Sequence, residues 1–446
     1  MEAHTPPGAP LAGIRIVEAS MLGPGAATTH LADLGADVIK VEPPRGDYLR
    51  ETTWPLVSGV SLMHLHISRG KRSIVLDLRT AEGREVFLDL ARGADVVVEA
   101  MRPGGLERRG VGPKELAQVN PRLVFCGISG YGETGPYRGL PSHGVAFDAW
   151  AGLVRPEPSG DGHWAIPEHP STGINAGPLF AALGILAAVI RARATGAGGR
   201  LEVAQSDAAA SMDWLRSETW RAYERPESEV TGNSADGFRR REPGTAGMRD
   251  GVRYQFYATA DGHILLMASE RELWRNFCTA VGRPDLFERH PGSRYADHAV
   301  GDTVLRDELT KIFAGRGSAE WIAFGGEHNV PIAPVNTPRT LAADPQFQER
   351  LPWLPAERLG TDQLPSPIRF VGEERRVPAR APALGEHTEE ILREVLGYGP
   401  PAIARLRESG ALGSPDGAEK AEGAGGAGPG PAGPGSAGPG SAVEGG

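Results

Sequence analysis

The sequence is short of cysteine, of positive charge and of long apolar runs, and each shortage excludes something. Only Cys126 and Cys278 occur among 446 residues. One bridge is no framework for so long a chain, so both thiols are expected to be buried and reduced. No CxxC or HExxH is present, and His64 and His66, two positions apart, make no metal motif, so no metal is expected. There is no GxSxG elbow, and Gly196 to Arg200 lacks the Lys-Ser/Thr of a phosphate loop. A formal net charge of -9 leaves no basic face for a nucleic-acid partner. Residues 1–10 show no basic start leading into an apolar core, so no secretory leader is expected. The longest apolar run, 179–190, is too short for a bilayer span and reads as a buried helix. The expectation is a soluble cytoplasmic protein with no nucleic-acid and no membrane partner.

What is present is a repeated alternation of strand and helix. An apolar run at 13–18 ends at Gly23-Pro24-Gly25, a helical stretch covers 26–34, and Gly35 stops it before a second strand at 37–42. Strands at 73–78, 94–99 and 123–128 follow, with helices at 82–92 and 113–118 between them. Short crossovers of this kind predict an α/β domain with a parallel sheet covered by helices. A long helix at 176–195 leads into a strand at 201–203 and a further helix from 207. Asp261-Gly262 between the β-rich runs 254–258 and 264–268 predicts a hairpin opening a smaller α+β unit. Four regions result: a large domain at 1–225, a linker and small domain at 226–338, a C-terminal segment at 339–412 returning to the large domain, and a Gly/Ala/Pro/Ser tail at 413–446 expected to be disordered.

Two features invite a ligand. Gly23-Pro24-Gly25-Ala26-Ala27-Thr28 imitates a dinucleotide fingerprint, but Thr28 stands where the third glycine belongs and Pro24 removes an N–H. It reads as a structural strand-to-helix turn. The cations around strand ends read differently. Arg69, Lys71 and Arg72 precede one strand and Arg79 follows it, while Arg102 and Arg108 follow the next. Ligands of parallel sheets lie outside the carboxyl ends of the strands, and an arginine fork bonds two phosphate oxygens at once. Arg79 and Arg102 therefore suit a phosphorylated ligand, the alternative being a solvated charged loop.

Seven motifs in order, across about residues 10 to 396, resemble the class III CoA-transferases (the CaiB/BaiF group, with formyl-CoA transferase and 2-methylacyl-CoA racemase relatives). They include Leu34-Gly35-Ala36-Asp37-Val38-Ile39-Lys40-Val41-Glu42, Gly70-Lys71-Arg72-Ser73-Ile74, Arg102-Pro103-Gly104, and Ile128-Ser129-Gly130-Tyr131-Gly132 with Thr134-Gly135-Pro136-Tyr137. The resemblance implies a Rossmann-like large domain, a smaller domain and an interlocked homodimer, or a heteromer with a paralogue. It implies acyl-CoA and carboxylic acid substrates, with coenzyme A as cosubstrate and no permanently bound cofactor. Leu76, Asp77, Arg79, Met101, Arg102, Arg108 and Tyr131 are the residues it places around CoA. Gly244-Thr245-Ala246-Gly247 loosely matches the family's mobile glycine loop.

Transferases of this family use an aspartate that takes the acyl group as a mixed anhydride. The matching stretch, Ser171-Thr172-Gly173-Ile174-Asn175, has no aspartate, and Asn175 stands as the polar candidate there. The family's racemases use a histidine after the Thr-Gly-Pro turn, where this chain has His143, a base suited to neutral pH. Asp148 and Glu168 are possible replacement carboxylates. Three readings follow: an acyl-CoA transferase moving CoA between carboxylic acids with a relocated carboxylate, a His143-dependent racemase, isomerase or lyase, or a CoA-binding subunit without chemistry.

Overall fold

The computed structural model describes residues 8–52, 55–232, 237–240, 248–292 and 297–413. The expected tail, apart from Gly413, and the glycine loop at 244–247 lie outside the described residues. The chain clusters into two compact units. One comprises 1–129, 178–203 and 378–446, and the other 130–177 and 204–377.

The first unit is built on six strands. These are β1 (Arg15–Ser20), β2 (Asp37–Glu42), β3 (Lys71–Val75), β4 (Val96–Ala100), β5 (Val124–Ser129) and β6 (Gly199–Ala204). Their order across the sheet is β6-β5-β4-β1-β2-β3. β1 runs parallel to both β2 and β4, with Ile16 opposite Val38 and Val96. The chain order thus reverses between β1 and β4, the point beyond whose carboxyl ends ligands of open parallel sheets generally bind. The central strands are buried along their whole length, with Val96, Val97 and Val98 in β4 and Val124, Phe125, Cys126 and Ile128 in β5, as a sheet covered on both sides requires.

Helices α1 (Ala26–Asp33), α2 (Ala81–Arg92), α3 (Pro113–Val119), α4 (Val145–Trp150) and α5 (Thr172–Thr195) intervene. α4 belongs to the second unit. Thr80 starts α2 by accepting the N–H of Gly83, a side-chain cap. The portion of α5 from Pro178 onward packs Ala181, Ile185, Ala188 and Val189 against Val96, Val124 and Cys126. This helix differs from expectation on two counts. Over its 24 residues it is long and apolar enough to cross a membrane by length and composition. It is also buried on one side only, since Leu179, Leu183 and Ile190 are exposed. The chain after 378 lies along β3: Val75 donates to the Thr388 hydroxyl, and Arg72 pairs with Glu390 at 3.1 Å.

The second unit has the expected hairpin, Tyr254–Ala258 against His263–Met267, with Ile332–Pro334 as a third strand. Its core stacks Tyr257, Phe313, Phe277 and Trp274.

Candidate functional site

The cations of the sheet unit divide into two groups. Those at the amino ends are consumed by the fold. Arg69 pairs with Asp33, Arg72 is bidentate on Asp37, and Lys71 is buried against Glu18 at 2.8 Å. Lys71 also donates to the Gly25 carbonyl at 2.8 Å, fixing the turn after β1. Glu18 takes Lys40 on its other oxygen at 3.1 Å, and Lys40 reaches Asp47 at 3.0 Å. Burial would raise the Glu18 carboxyl; Lys71 and then Lys40 outweigh it and bring it down to about 2. Leu22 holds this turn at φ +60°, a conformation that costs a non-glycine residue about 1–3 kcal/mol and tends to mark functional loops. The Gly-Pro-Gly turn is thus anchored by a buried cluster of mutually paired charges.

At the carboxyl ends the second group remains. Glu99 accepts the N–H of Leu106 at 2.7 Å and closes the loop after β4. Met101 in that loop is half-buried and Arg102 is exposed. Arg108 donates to the Pro103 carbonyl at 2.9 Å, crossing the same loop. After β3, Leu76 is buried and Asp77 is held by its N–H on the Ala411 carbonyl at 2.8 Å. Arg79 is exposed, but its guanidinium grips Asp77 at 2.7 and 2.8 Å, and this hydrogen-bonded pairing holds the Asp77 carboxyl below its ordinary value. Arg102 and Arg108 beside the point of strand reversal are therefore better placed for an anionic ligand than Arg79, which must first release Asp77.

In the second unit Tyr131 is the hub of an aromatic cluster. Its ring lies edge-on to Tyr137, Phe147 and Trp150 at 5.8, 6.0 and 6.4 Å. Tyr137 and Trp150 are about half exposed, at 50% and 48%, and offer apolar faces to solvent. His143 is exposed on the preceding loop. Asn175 falls inside the first turns of α5, which starts four residues before the expected helix. Its amide donates to the Ser171 carbonyl at 2.7 Å, so it is occupied by its own helix. Glu168 is exposed.

The arrangement that sequence reasoning missed is a pair. Asp148, on α4, is fully buried and points at the start of α5. Its carboxylate accepts the N–H of Gly173 at 2.8 Å and of Thr172 at 3.2 Å, where the helix dipole favours negative charge. His169 lies beside it with Nε2 at 3.5 Å from Oδ2, while Nδ1 is 3.0 Å from the Pro167 carbonyl. Phe147 packs on Gly173, where a Cβ would meet its own Cβ at 2.7 Å. The small residue at 173 is what lets α4 approach close enough for Asp148 to reach the helix. No sequence motif joins His169 to Asp148; only the fold brings them together.

The profile of CoA-transferase family III matches residues 11–388. The chain is 30% identical over 417 residues to the succinyl-CoA:glutarate CoA-transferase of Homo sapiens, covering 90% of each protein. It is 31% identical to the succinyl-CoA–L-malate CoA-transferase beta subunit of Chloroflexus aurantiacus, over 89% of this chain and 97% of that one. The crystal structure of a CaiB/BaiF family protein from Brucella suis superposes with a TM-score of 0.69 at 28% identity, covering 87% of this chain and 99% of that one. With its parallel six-stranded sheet and arginine-tipped strand ends, the chain belongs to CoA-transferase family III and is an acyl-CoA transferase.

Proposed function

We propose that the enzyme moves CoA from an acyl-CoA donor to a carboxylic acid acceptor with Asp148 as the acyl-carrying carboxylate. The observation that carries this is the placement of Asp148 against two helix N–H groups at 2.8 and 3.2 Å, while Asn175 can form no anhydride. In the first step an Asp148 oxygen attacks the thioester carbonyl, an O–C bond forms, the C–S bond breaks, and CoA leaves as thiolate. The thiolate then attacks the Asp148 carbonyl of the anhydride and expels the donor acid, leaving CoA on Asp148. The acceptor carboxylate displaces that thiolate to form its own anhydride, and the thiolate attacks the acceptor carbonyl, releasing acyl-CoA and free Asp148. The departure of Asp148 in the last step returns a charge to the helix N–H groups, which favours it as a leaving group.

The sheet order, which turns back between β1 and β4, supports a Rossmann-like unit that takes the CoA nucleotide at Leu76, Asp77, Met101, Arg102 and Arg108. Arg79 joins them if Asp77 releases it, and the Tyr131 ring, edge-on to Tyr137 and Trp150, is a separate candidate contact for the ligand. The relatives named above act on succinyl-CoA with glutarate or L-malate, which supports dicarboxylic acids as the first substrates to try. Exposed Leu179, Leu183 and Ile190 in one unit, and Met212, Trp214, Leu215 and Trp220 in the other, support burial of these faces in a homodimer. The beta-subunit relative supports a heteromer with a paralogue as the second assembly. Cys126 and Cys278, both buried and not joined by a disulfide, agree with a cytoplasmic enzyme. The test is an exchange assay with succinyl-CoA and labelled glutarate, malate and monocarboxylic acids, with hydroxylamine trapping and mass mapping. Label on Asp148 is expected; no transfer to any acid would sink the proposal.

A further inference from the structure

His169 is not needed to form an anhydride, yet it lies against the group that would. Its Nδ1 faces the Pro167 carbonyl at 3.0 Å. A carbonyl oxygen only accepts, so Nδ1 carries a proton. Its Nε2 faces Asp148 at 3.5 Å, is itself buried, and has no hydrogen-bond partner. A neutral ring would thus turn a lone pair toward a carboxylate. A second proton removes that repulsion and supplies Asp148 Oδ2 with a donor after a closure of roughly 0.6–0.8 Å to ordinary charge-assisted distance. Asp148 approaches from α4, and the first turn of α5 presents the amides of Thr172 and Gly173 to the same carboxylate. The His169 side chain is 14% exposed and that of Asp148 is 0%.

We infer that His169 is a positioning residue for CoA transfer, holding Asp148 in place as an imidazolium and assisting its departure from the anhydride with the acceptor. This rests on the assignment of Asp148 as the acyl carrier. When Asp148 is acylated its charge is gone, and the imidazolium beside it favours the step that restores the charge. The electron pair of the breaking C–O bond returns to the carboxylate oxygen that Nε2–H faces; the proton stays on His169. Loss of that proton should slow turnover and leave binding of acyl-CoA unchanged.

The experiment compares wild type, His169→Gln and His169→Ala with succinyl-CoA and glutarate, or with the best pair from the exchange panel. Turnover is measured from pH 5 to pH 9. Wild type should lose kcat on the alkaline side while KM holds. His169→Gln, which offers a donor without a charge, should lower kcat roughly 3- to 10-fold, the difference between a charge-assisted and a neutral hydrogen bond, and should lack the alkaline limb. Imidazole added to His169→Ala should restore part of the rate and the limb, a rescue that a purely structural role would not give. Equal kcat and the same limb in wild type and His169→Gln would overturn the inference, as would a change confined to KM or an acyl group mapped onto His169 itself. Mapping also separates the two claims. If the acyl group sits on another carboxylate, the assignment of Asp148 falls and this inference falls with it. If it sits on Asp148 while His169→Gln behaves as wild type, only the inference falls.

Discussion

Replacing Lys71 by methionine should destabilise the sheet unit by about 3 kcal/mol, through a mechanism specific to buried charge. Lys71 and Glu18 are both almost wholly enclosed, and Lys71 bonds Glu18 at 2.8 Å and the Gly25 carbonyl at 2.8 Å. Removing one partner of a buried ion pair typically costs about 3–5 kcal/mol, because the remaining charge keeps its desolvation cost. Glu18 retains Lys40 at 3.1 Å together with the hydroxyls of Ser20 and Thr28, so the low end of that range applies. The acid limb supplies an independent sign. The folded-state value for Glu18 is about 2 against an ordinary 4.5. Its stabilising contribution is therefore complete above 4.5 and lost as pH falls toward 2. Without Lys71 the folded value rises and acid unfolding should begin at a higher pH. Urea titration at pH 7 and an acid titration followed by circular dichroism measure both, and adding Glu18→Gln to Lys71→Met should recover part of the loss. A single variant within about 0.5 kcal/mol of wild type, with an unchanged acid midpoint, would refute the reasoning.

Arg102→Ala should weaken CoA binding roughly 10-fold or more, one charge-assisted phosphate contact, whereas Arg79→Ala should do less because Asp77 already holds that side chain; calorimetry at two salt concentrations decides. Asn175→Ala should leave kcat within about twofold of wild type, since its amide serves a helix turn of the kind whose loss costs little at the surface; a 100-fold loss in the exchange assay would return Asn175 to the chemistry. Burial, with Arg50 adding repulsion for His64 and Arg69 for His66, lowers both imidazoles to about 4. The folded protein therefore resists protons that the unfolded chain accepts below about 6.5, and stability should fall from pH 6.5 toward 4. Urea midpoints at pH 7 and pH 5 should differ, and His64→Gln should narrow the difference.

The α/β alternation was legible because each strand is a short apolar run stopped by glycine or a charged turn. The strand at 37–42 coincides with β2, and the hairpin around Asp261-Gly262 forms as its turn chemistry requires. β3 begins two residues earlier than expected, at Lys71, because Lys71 and Arg72 are neutralised by Glu18 and Asp37 and can enter a sheet that composition alone would bar to them. The same effect hid the sorting of cations. Nothing local distinguishes Arg72, which is spent on the fold, from Arg102, which is exposed. At α5 the error was one of helix onset. The apolar pattern placed the start at 176, but the helix begins at Thr172 and accommodates Pro178, which carries Asn175 into the helix. His169 and Asp148 are 21 positions apart with no motif between them, so their meeting depends on tertiary packing.

The partners that complete β3 are made last. Ser73 receives His387, and Arg72 receives Glu390, across separations of 314 and 318 positions. At about 5–20 residues per second, a ribosome needs roughly 15 to 60 s to deliver His387 after Ser73 has emerged. For that interval the newly made sheet has an open margin, able to pair with another chain. Ordering such distant contacts is slow even once synthesis ends. The demand on chaperones should therefore fall on the nascent chain, and a protein cut short before residue 378 should aggregate through that margin rather than lose only the missing segment.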